Sequence, residues 1–246
     1  AATLAKRKKV KEHAETELTT LRSDLARALP HELRTPLQCI VGYADLLCDP
    51  AGLQSFEEVA KMGGRILDAA QRLERMTENF LFYAQLHMTK DAPMRPHPTS
   101  ATHDCAAVLA ELATTRATAR GRAADLRLDA ADVGCGLVPK HFAKLVEELV
   151  DNAFKFSPAD SEVDVTFAAT PSGVRLTVRD RGRGMEPEQI ARVGAYVQFD
   201  RGLHEQQGCG LGLGIAQGIT ALWGGTLAIE RPEDGGTSVV VCLPAA

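Results

Sequence analysis

At 246 residues the chain has room for one large domain or two ordinary ones, and 45% hydrophobic against 24% charged residues is the balance of a globular protein. With 28 Lys and Arg against 32 Asp and Glu the formal net charge is −4, which argues against a polyanion binder working by bulk charge, so no nucleic-acid partner is expected. A single phosphate ligand stays open. No apolar run approaches the roughly 18 residues of a membrane span, and the polar, basic start carries no signal peptide. The expectation is a cytoplasmic chain, or the cytoplasmic portion of a longer, membrane-anchored protein.

Residues 3–48 read as a first helix. Leu18, Leu21, Leu25 and Ala28 repeat at spacings of 3, 4 and 3, and Leu33, Leu37, Ile40, Ala44 and Leu47 at 4, 3, 4 and 3. That is the seam of a coiled coil or helical bundle. The step of five from Ala28 to Leu33 puts the two stretches out of phase. Pro30 and Pro36 fall around the break and are expected to bend the helix. The loop Asp49-Pro50-Ala51-Gly52 ends it. A second helix carries Val59, Met62, Ile66, Ala69, Leu73, Met76, Phe80, Tyr83 and His87 along a second seam. A loop this short makes the helices antiparallel neighbours. One hairpin cannot bury both seams, so a dimeric four-helix bundle is expected.

Pro93, Pro96 and Pro98 cannot continue a helix, and residues 91–98 read as a linker. The expected division is a helical domain over 1–90, the linker, and a second domain over 99–246. There Val163, Val165 and Phe167, then Val174, Leu176 and Val178, alternate with polar residues around a Thr170-Pro171-Ser172-Gly173 turn. Residues 226–230 and 237–243 form a second such pair around Glu233-Asp234-Gly235-Gly236. Helices are predicted near 103–120, 139–156 and 211–223. Hairpins with helices segregated beside them predict a two-layer α/β sandwich rather than alternating βαβ units. Six cysteines (Cys39, Cys48, Cys105, Cys135, Cys209 and Cys242) form no CxxC pair and no zinc-spaced cluster. Reduced thiols are the expectation.

Four stretches carry chemistry. In His31-Glu32-Leu33-Arg34-Thr35-Pro36-Leu37, a seam through Leu33 and Leu37 turns His31, Glu32 and Thr35 outward, with His31 and Thr35 four apart on one face. An exposed imidazole is largely neutral at pH 7 and can be a nucleophile. Glu148, Asn152 and Lys155 fall at i, i+4 and i+7 of one helix. A carboxylate and an amide oxygen are hard ligands suited to Mg²⁺, and a lysine one turn on could neutralise phosphate; an ordinary polar helix face is the alternative. Asp180-Arg181-Gly182-Arg183-Gly184-Met185 follows a strand, offering a hydrogen-bond acceptor for an exocyclic amine and two glycines for close backbone approach. Gly208-Cys209-Gly210-Leu211-Gly212-Leu213-Gly214 precedes a helix whose N-terminus suits phosphate. It has neither the βαβ frame of a Rossmann fingerprint nor the Lys of Walker A.

Taken in order, these stretches resemble the H, N, G1 and G2 boxes of the sensor histidine kinases of two-component signalling, and Tyr196 to Arg201 is similar to the F box. The resemblance covers nearly the whole chain. It implies a HisKA-type dimerisation and phosphotransfer hairpin followed by an ATP-binding catalytic domain of the GHKL (Bergerat) fold. It further implies that His31 is the phosphoacceptor, that Glu32 positions or deprotonates it, and that Thr35 orients water for dephosphorylation of a response regulator. Glu148 and Asn152 would hold Mg²⁺. Asn152, Lys155, Asp180, Gly182, Gly184, Phe199, Arg201, Gly208, Gly210, Leu211, Gly212 and Leu213 would bind or enclose ATP, with Asp180 on the adenine amine. The implied partners are a response-regulator receiver domain, a second copy of the chain, and an upstream sensor domain. Departures are mild: Tyr196 where the family often has Phe, Gln198 where it often has Pro, and Pro30 before the acceptor where Ser is common. Cys209 is either a small-residue filler or a redox brake on ATP binding.

Overall fold

The computed structural model describes residues 32–49, 55–89, 101–191 and 211–245. His31, Pro30, the linker over 91–98, Phe199, Arg201, Gly208, Cys209 and Gly210 lie outside the described residues, as do Tyr196 and Gln198 and the side chain of His87. The chain divides into two compact units, and the boundary among the described helices falls between Leu81 and Phe82.

The first unit is helical. Residues 32–48 form α1, which runs unbroken across a buried Pro36; the missing N–H has not ended the helix there. The second helix, α2 (Phe56–Thr89), opens with the Ser55 hydroxyl accepting the Glu58 N–H at 3.2 Å and with Glu57 and Glu58 in its first turn. Both favour a helix N-terminus. Burial along α2 follows the predicted seam: Ala69, Met76 and Tyr83 are buried, and Met62, Ile66, Leu73 and Phe80 are half-buried. Leu37, Val41, Leu46, Phe56, Val59, Leu67 and Leu81 are large apolar side chains left exposed on these helices. No helix of the described residues is long and apolar enough to cross a membrane.

The second unit is built on a five-stranded mixed sheet in the order β1-β2-β3-β5-β4. Its strands are β1 (Leu126–Ala130), β2 (Val163–Thr170), β3 (Gly173–Asp180), β4 (Thr226–Glu230) and β5 (Thr237–Pro244). Its helices are α3 (Cys105–Ala119), α4 (Pro139–Phe156), α5 (Pro187–Ala191) and α6 (Gly212–Leu222). The β2–β3 and β4–β5 hairpins turn where the sequence predicts. In-register rows such as Leu128, Val165, Val178, Val239 and Ile229 cross the sheet.

Alternate residues of β2, β3 and β5 are buried under α4 and α6, with α3 packed on α4 and β1, giving the expected two layers. In α4, Phe142, Leu145, Val146, Leu149, Val150, Ala153 and Phe154 form the buried face, and Phe142 meets Phe167 edge-on at 5.7 Å. Each fully buried side chain of this kind stabilises the fold by about 1.5–3 kcal/mol.

Two features depart from the sequence reading. β1 is short and its central residues, Leu128 among them, are exposed, too weak a pattern to announce a strand, and α5 is a single short turn of helix. β1 also pairs parallel with β2 across α4, so one βαβ unit is present where none was expected. A parallel partner lies a whole helix away in sequence and leaves no turn signal.

The last turns of α2 belong to this second unit. Phe82 and Leu86 are buried; the Phe82 ring meets His141 edge-on at 5.5 Å, and Leu86 lies against Gly218. The Trp223 indole N–H donates to His141 Nδ1 at 2.8 Å. Burial first, then the charge of Lys140, holds His141 below the usual histidine range.

Candidate functional site

Helix α4 starts with Pro139 at its first turn and presents its apolar face to the sheet, which fixes the rotation of its other side. Glu148 and Asn152 lie one turn apart there. They converge on Gly212, the first residue of α6. A Cβ at Gly212 would stand 2.7 Å from Glu148 Oε2 and 3.0 Å from Asn152 Nδ2. The other Glu148 oxygen, Oε1, accepts from Lys144 Nζ at 2.7 Å in a largely buried pair. Leu211, fully buried, anchors the start of α6, and its carbonyl accepts the Ile215 N–H at 2.8 Å. Leu211, at the N-cap, makes no side-chain capping bond to that helix, and the first turn of α6 begins beside Glu148 and Asn152. Leu213 in the same turn is half-buried.

Asp180 ends β3, buried, opposite Thr237 of β5. Its Oδ1 accepts the Gly182 N–H at 2.7 Å. Burial pushes the Asp180 carboxyl up, partly offset by hydrogen bonds from the Gly182 and Thr237 N–H groups and the Thr237 hydroxyl. Gly182 packs on the end of α4 so closely that a Cβ there would lie 2.2 Å from the Phe156 carbonyl oxygen. Gly184, at a φ of +74°, faces the Gly236 carbonyl. Lys155 and Arg183 stand over the Phe156 ring, 4.8 and 5.7 Å from its centroid. Arg231 pairs with Glu186 at 2.6 Å just before α5.

The fold thus joins three of the predicted motifs, contributed by α4, the turn after β3, and the start of α6. Glu32 and Thr35 lie on α1, half-buried and exposed respectively. His31, Phe199, Arg201, Gly208 and Gly210 are outside the described residues.

Two contributors went unread in the sequence. Thr237 reaches Asp180 only through strand register. Arg122 hydrogen-bonds Asp125, the Phe154, Ser157 and Ser161 carbonyls and the Ser157 and Ser161 hydroxyls, and stacks on Phe154. It fixes the end of α4 against which Gly182 packs, and nothing in the local sequence marks it.

Chemically, the Glu148 and Asn152 oxygens are hard donors fit for a divalent cation. The adjacent helix N-terminus suits phosphate, and the buried Asp180 carboxylate can accept from an amine.

Two family models match the chain. Residues 21–88 match the model of the His Kinase A (phospho-acceptor) domain. Residues 137–246 match the histidine kinase-, DNA gyrase B- and HSP90-like ATPase model. The histidine protein kinase DivJ of Caulobacter vibrioides is 29% identical over 227 residues, 88% of this chain and 36% of that protein. The phosphate regulon sensor protein PhoR of Pseudomonas aeruginosa is 29% identical over 240 residues, 93% of this chain and 52% of its own length. The chain therefore spans between a third and about half of these relatives. The crystal structure of full-length ShkA in complex with AMPPNP superposes with a TM-score of 0.57 at 25% identity, covering 89% of this chain and 46% of ShkA. With a phosphoacceptor module followed by an ATPase module of the GHKL fold along most of its length, the chain belongs to the sensor histidine kinases.

Proposed function

We propose that this chain is the cytoplasmic kinase core of a longer sensor protein. It phosphorylates its own His31 from magnesium-ATP and passes the phosphoryl group to an aspartate of a response-regulator receiver domain. It also acts as a phosphatase toward that regulator. The observation that carries the reading is the convergence of Glu148 and Asn152 on Gly212 at the start of α6. The AMPPNP complex of the related ShkA supports nucleotide as the ligand.

In this reading the Asp180 carboxylate accepts the adenine amine, held in place by Gly182 and Thr237. The first-turn N–H groups of α6 receive phosphate oxygens, and Lys155 adds positive charge. Glu148 and Asn152 hold Mg²⁺, which neutralises charge on the phosphates. Phosphoryl transfer requires mainly alignment and charge neutralisation. A neutral His31 nitrogen attacks the γ-phosphorus in line, the bond to the bridging oxygen breaks, and ADP leaves. Glu32 orients the imidazole and takes up its proton, reaching from about 100° round the helix. Thr35, three residues further along α1, orients the water that attacks the regulator's aspartyl phosphate, so that the P–O bond to the aspartate breaks and inorganic phosphate leaves.

The exposed Leu37, Val41, Leu46, Phe56, Val59 and Leu67 are what a second copy of the hairpin would cover in a dimeric four-helix bundle.

Calorimetric titration with a non-hydrolysable ATP analogue tests the site. Magnesium-dependent binding to the parent, lost in Asn152→Ala while the fold persists, supports the reading. Binding indifferent to both magnesium and Asn152 contradicts it.

A further inference from the structure

Cys105 and Cys135 are far apart in sequence, and the fold brings them together. Cys135 and Thr102 form an isolated antiparallel bridge, with hydrogen bonds of 2.9 and 3.1 Å in the two directions. Cys105 opens α3 three residues after Thr102, and its thiol reaches the Thr102 carbonyl at 3.3 Å. The two side chains thus lie close enough to influence each other. Both side chains are fully buried. Neither cysteine is used by the phosphotransfer chemistry, and the pair stands apart from Glu148, Asn152 and Asp180.

We propose that Cys105 and Cys135 form a dithiol site that hydrogen peroxide oxidises to an intramolecular disulfide, stapling the start of α3 to the loop that precedes α4. Cys135 is the attacking sulfur, because the Leu137 N–H donates to it and favours its thiolate. The Cys135 thiolate attacks one peroxide oxygen, the O–O bond breaks, and the departing hydroxide takes a proton to leave as water. The Cys105 sulfur then attacks the resulting sulfenic sulfur and displaces the second hydroxide, which leaves as water with the Cys105 proton. The dithiol loses two electrons and one peroxide becomes two waters.

Because both sulfurs are sealed, the reaction waits on local opening of the residues around Thr102. The site therefore answers sustained oxidant rather than a brief pulse. The new bond closes a loop of about thirty residues containing β1, which constrains the unfolded chain.

The test treats the whole chain with hydrogen peroxide, blocks remaining thiols, and maps peptides without reduction. The expected result is a peptide linking residue 105 to residue 135, released by dithiothreitol. A reversible rise of roughly 5 °C or more in Tm should accompany it. The link should vanish in Cys105→Ala and in Cys135→Ala. Recovery of both cysteines as free thiols, or as unlinked sulfinic or sulfonic acids, overturns the proposal. So does a disulfide confined to other cysteines. Because the mapping is read on the parent chain, failure of either variant to fold does not affect it.

Discussion

Gly212 faces the Glu148 carboxylate so closely that a Cβ on residue 212 would sit 2.7 Å from Oε2. The first turn of α6 and the oxygen donors of α4 are thereby held within one small volume. Only a residue without a side chain allows it. The obstructing atom is the end of a flexible side chain, so the fold can survive a methyl group that the site cannot. Gly212→Ala is predicted to keep Tm within a few degrees while weakening magnesium-nucleotide binding by about tenfold or more, a loss of about 1.4 kcal/mol. Paired calorimetric and thermal titrations would separate the two effects.

Gly182 makes the opposite prediction. There a Cβ meets a backbone oxygen, that of Phe156, at 2.2 Å. Neither chain can step aside cheaply, so Gly182→Ala should destabilise the second unit as well as nucleotide binding. A Tm fall clearly larger than that of Gly212→Ala is the expected outcome of a melting comparison.

Asp180 couples stability to function through pH. Its carboxyl is raised in the folded state, chiefly by burial. The fold therefore disfavours the ionised form, and this contribution to stability is full below the unfolded carboxylate pKa and is lost as pH rises through the folded value. Asp180→Asn should abolish this dependence in melting curves above about pH 4. The same substitution should abolish nucleotide binding, because the amide places a donor where an amine must be accepted.

His141 works with the opposite sign. Its folded pKa is lowered, so its contribution is present above the unfolded value of 6.5 and is lost as pH falls toward the folded value. Imidazolium cannot accept the Trp223 indole hydrogen. Emission from Trp223, the sole tryptophan, should shift as pH drops below about 6.5, and Tm should fall with it. His141→Gln should flatten both responses.

Arg122 is predicted to matter for stability rather than for chemistry. Arg122→Ala would leave the Phe154 and Ser157 carbonyls without their partner and Asp125 largely buried and uncompensated. The cost should be about 3 kcal/mol in denaturant unfolding, with Arg122→Lys restoring only part of it.

What the sequence disclosed follows from how local each signal is. The bounds of α4 were legible because Pro139 marks its start and its apolar residues repeat at 3 and 4. That periodicity also put Glu148 and Asn152 on the other face. The hairpins were legible through their turns. β1 was not, because its pairing is parallel and non-local. Thr237, Arg122 and the Cys105–Cys135 contact were hidden for the same reason: each forms between segments that only the tertiary fold makes neighbours. Seam periodicity in α2 was readable at Ala69, Met76 and Tyr83, which are buried, but not at Val59, which is exposed, nor at Phe82 and Leu86, which are buried off the seam within the second unit.

The central claim is that this chain moves a phosphoryl group from nucleotide to His31. Incubating it with γ-labelled ATP and Mg²⁺, beside His31→Gln, tests that most directly. The account predicts acid-labile, alkali-stable label on the parent and none on the variant. Equal label on His31→Gln, or acid-stable label on the parent, would contradict it.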